Sequence, residues 1–209
     1  MILLLTPNGL KFYIENFDPL IFSETFIYDI HYSDNLNGKI VIQAGGFTGD
    51  TALYYASKGA RVYSFEPDPI NYELALKNIS LNPHLAQNII MKNYALGKDE
   101  IIDFPITGTG FSSAYNLNTG KTTKVRSISI TQIIKEFNIT DPYLLDLDIK
   151  GKEFEVINDE SLSLFRKVRI EYSPDLVGLK DYGFKSIRVF KHNCLNYDLH
   201  YHGTIEATK

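Results

Sequence analysis

The residues with the clearest chemical potential are a glycine-rich turn and the acid that follows it. Gln43-Ala44-Gly45-Gly46-Phe47-Thr48-Gly49-Asp50 lies where a β-rich run gives way to a helical pattern. Glycines there let the backbone bend sharply and come close to a ligand. Glu66 stands 21 residues after Gly45, at the end of the next β-rich run. In a doubly wound fold, an acid at that place accepts hydrogen bonds from both hydroxyls of a ribose. Turn and acid together point to a nucleoside-containing cofactor. Asp148 and Glu171 fall at the ends of two later β-rich runs. An acid so placed can take a proton from an acceptor hydroxyl or anchor a divalent cation that lowers the hydroxyl pKa. The plainer readings are a solvated strand-end acid for Asp148 and an ion pair, for instance with Lys150, for Glu171.

Such residues meet only if a parallel sheet brings them to one edge. Residues 39–44, 61–66 and 88–94 read as strands, the second cut off by Pro67 and Pro69. Residues 50–58 read as a helix, and Tyr72, Ala75, Leu76 and Ile79 follow at i, i+3, i+4 and i+7 on one face of another. This alternation predicts a parallel sheet with right-handed crossovers. Residues 100–106 and 124–130 read as a hairpin-like insertion carrying a small, polar loop at 107–120. A short helix over 131–137, strands at 143–149 and 167–172 with a helix over 152–158 between them, and an antiparallel pair at 186–190 and 195–201 complete the chain. With no internal repeat or long linker, residues 39–209 form one domain and residues 1–38 a short N-terminal extension.

The register of the turn separates cofactor classes. The dinucleotide pattern G-x-G-x-x-G would place a glycine where Ala44 stands, and no G-x-x-x-x-G-K-[ST] occurs for a nucleoside triphosphate. The looser Gly45-x-x-x-Gly49 spacing suits S-adenosylmethionine, which has no pyrophosphate to cradle. Val41 to Asp50, Val62 to Pro69 and Asn78-Ile79-Ser80-Leu81-Asn82 resemble the opening motifs of FkbM-type methyltransferases. Tyr94-Ala95-Leu96-Gly97, Gly110-Phe111-Ser112-Ser113, the run from Leu145 to Glu153 and Ile170-Glu171-Tyr172 match that family in order and spacing. The resemblance covers residues 40–172 and implies a Rossmann-like class I methyltransferase fold: an α/β, seven-stranded, mostly parallel doubly wound sheet with an antiparallel C-terminal strand. It implies S-adenosylmethionine as cofactor and methylation of a hydroxyl oxygen on a small metabolite or glycan. The implied cofactor-binding set is Gln43, Gly45, Gly46, Thr48, Gly49, Glu66, Pro67, Asp68, Asn93 and Ala95; the catalytic set is Asp148, Glu171 and Lys150.

The chain departs from the family pattern where it matters for charge. Gln43 stands where the family has aspartate, and K-I-D-V-E-G-A-E becomes Asp146-Leu147-Asp148-Ile149-Lys150-Gly151-Lys152-Glu153. At strand period two, Asp146, Asp148 and Lys150 share a side, so charge has moved along one face. This reads as a compensated rearrangement or as a site retuned for another substrate. These departures also support a non-catalytic nucleoside-binding domain on the same scaffold, and an RNA methyltransferase is a further alternative.

Composition sets the outer limits. With 44% hydrophobic and 22% charged residues among 209, disorder, fibre and disulfide scaffold are excluded. Lys+Arg 21 against Asp+Glu 25 gives a net charge of −4, which ranks nucleic acid below small acceptors; Lys121, Lys124 and Arg126 form a basic cluster. Cys194 is a lone thiol, and His200 and His202, with His192 before them, read as exposed hairpin residues, so no metal site is expected. No run approaches a membrane span, and a cytoplasmic location follows by default. Specificity must then come from the 107–120 loop, residues 1–38, or a second copy in a homo-oligomer. Phe47, Phe111 and Tyr94 flank the expected cofactor crevice.

Overall fold

The computed structural model describes residues 3–15, 17–110, 120–149, 153–171, 183–191 and 203–209. Strands β1 (Leu3–Leu5) and β2 (Lys11–Tyr13) form a small antiparallel pair, followed by helix α1 (Pro19–Phe26). The central sheet takes β3 (Ile40–Ala44), β4 (Arg61–Phe65), β5 (Ile89–Lys92), β9 (Pro142–Leu147), β10 (Lys167–Glu171), β11 (Ser186–Lys191) and β12 (Gly203–Thr208). Its seven strands run in the order β11-β12-β10-β9-β3-β4-β5, with β12 antiparallel to both neighbours. This is the expected doubly wound, mostly parallel sheet with an antiparallel C-terminal strand.

Successive strand residues feed opposite faces. Val41, Val62 and Leu144 enter the core beneath helices α2 (Asp50–Ser57) and α3 (Pro69–Ser80), while Ile42, Tyr63 and Leu145 enter the core on the other side. Covering both faces is what a parallel sheet requires, and it explains why these strands read as continuous apolar runs. Helix α3 starts where Asp68 accepts from the Ile70 N–H and Pro69 occupies the first turn. In α2, every residue from Asp50 to Ala56 is buried, because α1 and the residues around it cover its outer side. Phe12, Phe22 and Phe26 pack edge-on or tilted against one another, and Phe26 continues onto Tyr54 of α2. Asp18 caps α1 with Pro19 behind it, a start signal that marks this helix in the sequence.

Two elements fall elsewhere than the sequence reading placed them. The third strand stops at Lys92: Asn93 turns the chain by donating to the Glu66 and Pro67 carbonyls at 2.8 and 2.9 Å. Residues Tyr94–Leu96 (β6) leave the central sheet and pair in parallel with β8 (Thr122–Ile128), which pairs antiparallel with β7 (Glu100–Pro105). The expected hairpin is thus the larger part of a separate three-stranded sheet. The antiparallel C-terminal strand β12 lies at Gly203–Thr208, and the strand expected at 195–201 lies outside the described residues. Ile205 and Ala207 point into the core while Glu206 between them points to the opposite face and bonds Arg169, the period-two pattern of a strand paired with β10.

One row of polar residues crosses the sheet beneath α2. Register places Ser64 beside Gln43, Gln43 beside Asp146, Asp146 beside Arg169, and Arg169 beside Glu206. Tyr55 of α2 caps this row, donating to Asp146 at 2.6 Å and accepting from Arg169 at 2.7 Å. Among the described residues, no helix is long and apolar enough to cross a membrane.

Candidate active site

A cavity with an empty volume of about 990 Å³, its solvent-facing mouth included, opens at the carboxyl ends of β3, β4 and β9. Its floor is Gly45, Phe47 and Asp148. One wall is Phe65, Glu66 and Pro67, and α1 with His31 closes another. The three-stranded sheet supplies Ala95, Leu96, Glu100, Ile102, Phe104 and Ser127 opposite.

The glycine turn has a clear steric cause. Gly45 has φ +83°, and a Cβ on it would lie 2.0 Å from the carbonyl oxygen of Asp148, which crosses directly over the turn. Asp148 is tied there by its N–H donating to Ala44 at 3.0 Å. A Cβ on Gly46 would meet Met91 at 2.6 Å and Ser64 at 2.8 Å. The two glycine N–H groups donate to the Phe65 carbonyl at 3.1 and 3.0 Å, fastening the turn to the end of β4. Gly49 begins α2 with φ +81° and packs on Ala75, while the Thr48 carbonyl accepts from Asn78 at 2.8 Å. Gly46, Thr48 and Gly49 therefore shape the turn from behind the cavity wall.

Glu66 is 5% exposed, with one carboxylate oxygen accepting from the Phe47 N–H and the other from the Asp68 N–H, each at 2.8 Å. Burial pushes its carboxyl up to about 8, against the pull of those two N–H donors. Asn93 secures the Glu66–Pro67 backbone from outside the cavity. Asp68 does different work: its second carboxylate oxygen accepts from the Thr107 and Gly108 N–H groups, both at 2.8 Å, anchoring the start of the 107–120 segment. Gln43, 2% exposed, is spent internally, donating to the Gly45 carbonyl at 2.7 Å and accepting from Ser64, and it does not line the cavity.

Asp148 lines the cavity and is exposed to it. Glu171 ends β10 beside Thr204 of β12 and is not among the lining residues. Lys150, Phe111, Ser112, Ser113, Cys194, His192, His200 and His202 lie outside the described residues. Phe47 lines the cavity with φ +39°, whereas Tyr94 stacks on Phe65 with Arg126 4.8 Å above its ring. The charge at Asp146 is balanced from the neighbouring strand. Burial alone would raise its carboxyl, but His31, Arg169 and Tyr55 hold it below the usual carboxylate range.

The sequence reading named residues 1–38 as a source of specificity without naming their side chains, and it did not include Asp50 of α2. His31 places Nδ1 3.2 Å from Asp146, off the hydrogen-bond line, and Nε2 3.4 Å from the Thr51 hydroxyl. Thr25 donates to Asp50 at 3.2 Å. Asp50 is buried, lines the cavity, and has its carboxyl pushed by burial up to about 6, opposed mainly by His31. The adjacency of Asp50 to the turn was the available signal; its link to Thr25 and His31 was not. Three atoms of lining residues are buried and without a hydrogen-bond partner: His31 Nδ1, Asp50 Oδ1 and Asn71 Oδ1. The two oxygens are acceptors, which a donor-bearing ligand would satisfy.

A paired turn and strand-end acid at this sheet edge is the arrangement the FkbM resemblance implies, and comparison with known families decides the point. The methyltransferase FkbM domain matches residues 42–196. The chain belongs to that family. Among solved structures, it is similar to the human methyltransferase 10 domain containing protein, with a TM-score of 0.57 at 14% identity over 97% of this chain and 89% of that one. It is also similar to the METTL16 MTase domain, with a TM-score of 0.53 at 11% identity over 96% of this chain and 73% of that one. At these identities the likeness is one of fold. No match is found among curated proteins. Among the described residues, no group of three or more His, Cys, Asp and Glu is arranged to hold a metal ion.

Proposed function

We propose that this member of the FkbM family binds S-adenosylmethionine in the cavity and methylates a hydroxyl oxygen of a small metabolite or glycan. The observation that carries the reading is Glu66, a buried carboxylate at the end of β4, facing a cavity beside the Gly45–Gly46 turn. Its two oxygens each accept one backbone N–H, with Asn71 also interacting through its side chain, and its place at the cavity wall suits the hydroxyls of a ribose. The orphaned acceptors of Asp50 and Asn71 favour a ligand that brings N–H donors.

When bound, the cofactor supplies a methyl group on a sulfonium that departs as a neutral thioether. Glu66 holds the ribose, and the backbone of Phe47 and Asp68 keeps Glu66 in place. Asp148, exposed to the cavity, would take the proton of the acceptor hydroxyl. Holding donor and acceptor in line supplies much of the rate, on the order of 7–11 kcal/mol in favourable systems, so a modest base suffices.

Two observations rank RNA below small acceptors. Among the described residues, no Lys or Arg lines the cavity. Lys124 and Arg126 are paired with Asp103 and Glu136 at 2.7 and 2.6 Å, which removes most of the basic cluster. Calorimetric titration with S-adenosylmethionine tests the reading. Wild type should bind and Glu66→Ala should weaken binding; absence of binding by wild type refutes the enzyme, and unchanged affinity in the variant refutes the ribose assignment.

A further inference from the structure

Asp50 is a carboxylate that the fold of the chain alone does not explain. It is 4% exposed, sits in the first turn of α2 and lines the same cavity as Glu66. Its Oδ2 accepts from Thr25 at 3.2 Å, with Thr51 at the outer limit of 3.5 Å, while Oδ1 makes no hydrogen bond. Leaving a buried carboxylate oxygen unpaired is costly, and such an atom in a native structure calls for a functional cause. Isolation raises that cost: the nearby ionisable groups acting on Asp50 are His31, which favours its charge, and Asp148, which opposes it. No Lys or Arg among the described residues lines the cavity to complete the pair.

Gln43 sharpens the contrast. At the end of β3 it is neutral, both ends of its amide are engaged, and it does not line the cavity. Of the acids that line the cavity, Asp50 at the start of α2 is the one with a buried, unpartnered oxygen among the described residues, its other oxygen accepting from Thr25 of α1. An orphaned acceptor calls for a hydrogen-bond donor as well as for positive charge. Of the two cationic centres in S-adenosylmethionine, the sulfonium has no donor and the α-ammonium has three.

Building on the cofactor reading above, we infer that Asp50 is the anchor for the α-ammonium group of the cofactor. The N-terminal segment thereby becomes part of cofactor binding, since Thr25 orients the anchor and His31 supports its charge.

Calorimetric titration of full-length wild type and Asp50→Asn with three probes tests this. S-Adenosylmethionine and S-adenosylhomocysteine both carry the ammonium; methylthioadenosine keeps the nucleoside and thioether but lacks it. Asp50→Asn should weaken the first two alike, roughly 10- to 100-fold for one charge-assisted hydrogen bond, and leave the third within about twofold. Loss with S-adenosylmethionine alone would assign Asp50 to the sulfonium and overturn the inference. Equal weakening of all three would mark Asp50 as structural and also overturn it, as would unchanged binding of all three. Wild type that binds none of the probes overturns the cofactor reading and this inference with it. If Asp50→Asn does not fold, Asp50→Glu displaces the carboxylate while keeping its charge, and the same selective loss against uniform loss decides the question.

Discussion

Replacing Glu66 by Gln separates a carboxylate kept for function from one kept for stability. The wild-type carboxyl is pushed by burial from its ordinary 4.5 up to about 8. The folded protein therefore holds this proton more tightly than the unfolded chain does. The contribution of Glu66 to stability is greatest below about pH 4.5 and falls as the pH rises towards about 8, where the folded group loses its proton. A rise of that size corresponds to about 5 kcal/mol against the charged form. Because Glu66 borders a cavity that opens to solvent, water offsets part of this, and a difference of about 2 kcal/mol or more should survive. Gln cannot titrate. It also presents an amide NH2 to one of two backbone donors, Phe47 or Asp68, which costs a pH-independent 1–3 kcal/mol or so. Urea unfolding of both proteins between pH 5 and 8, followed by circular dichroism, reads the two effects apart. The variant should gain on wild type by about 2–3 kcal/mol across that range, all other titrations being common to both. Parallel stability curves would refute the reasoning, because they would mean that Glu66 bears no desolvation strain in the fold.

Gly45→Ala should lower the melting temperature and displace Asp148, since its Cβ would stand 2.0 Å from a backbone oxygen at φ +83°. The left-handed conformation alone costs about 1 kcal/mol or more, and an unchanged melting temperature would refute the close approach. Asp146→Asn removes a charge held by His31, Arg169 and Tyr55 and should cost about 3 kcal/mol in denaturant unfolding near neutral pH. Because that carboxyl lies below its ordinary 3.8 in the folded protein, its contribution is full above that pH and disappears as acid protonates it, so a loss that persists unchanged at pH 2 would be inconsistent. Asp68→Ala should speed amide hydrogen exchange at Thr107 and Gly108, whose N–H groups it accepts, and unchanged exchange would remove it as the anchor of that segment. Asp148→Asn should slow methyl transfer by about 10²-fold or more while leaving cofactor affinity unchanged, and normal turnover would exclude Asp148 as the base.

Much of this protein is readable along the chain because the relevant physics is local. Alternating apolar runs such as Ile40–Ala44 and Arg61–Phe65 specify buried parallel strands, and the helical spacing after Pro69 specifies the crossover. Gly45, Gly46 and Gly49 mark the turn, and Glu66 ends the next strand, all within 22 residues. Sequence distance hid the rest. Asp146 looked like a misplaced charge when compared with Lys150 four residues on; the fold sets it beside Arg169, 23 residues away, and beneath His31, 115 residues away. Thr25 reaches Asp50 only because α1 folds over α2, and no periodicity announces which helix covers which. The order of elements and the glycine turn were thus determined by local backbone preference and hydrophobic period. Which carboxylates face the cavity, which are neutralised behind it, and which one is left with an open oxygen were decided by packing between segments that the chain itself keeps far apart.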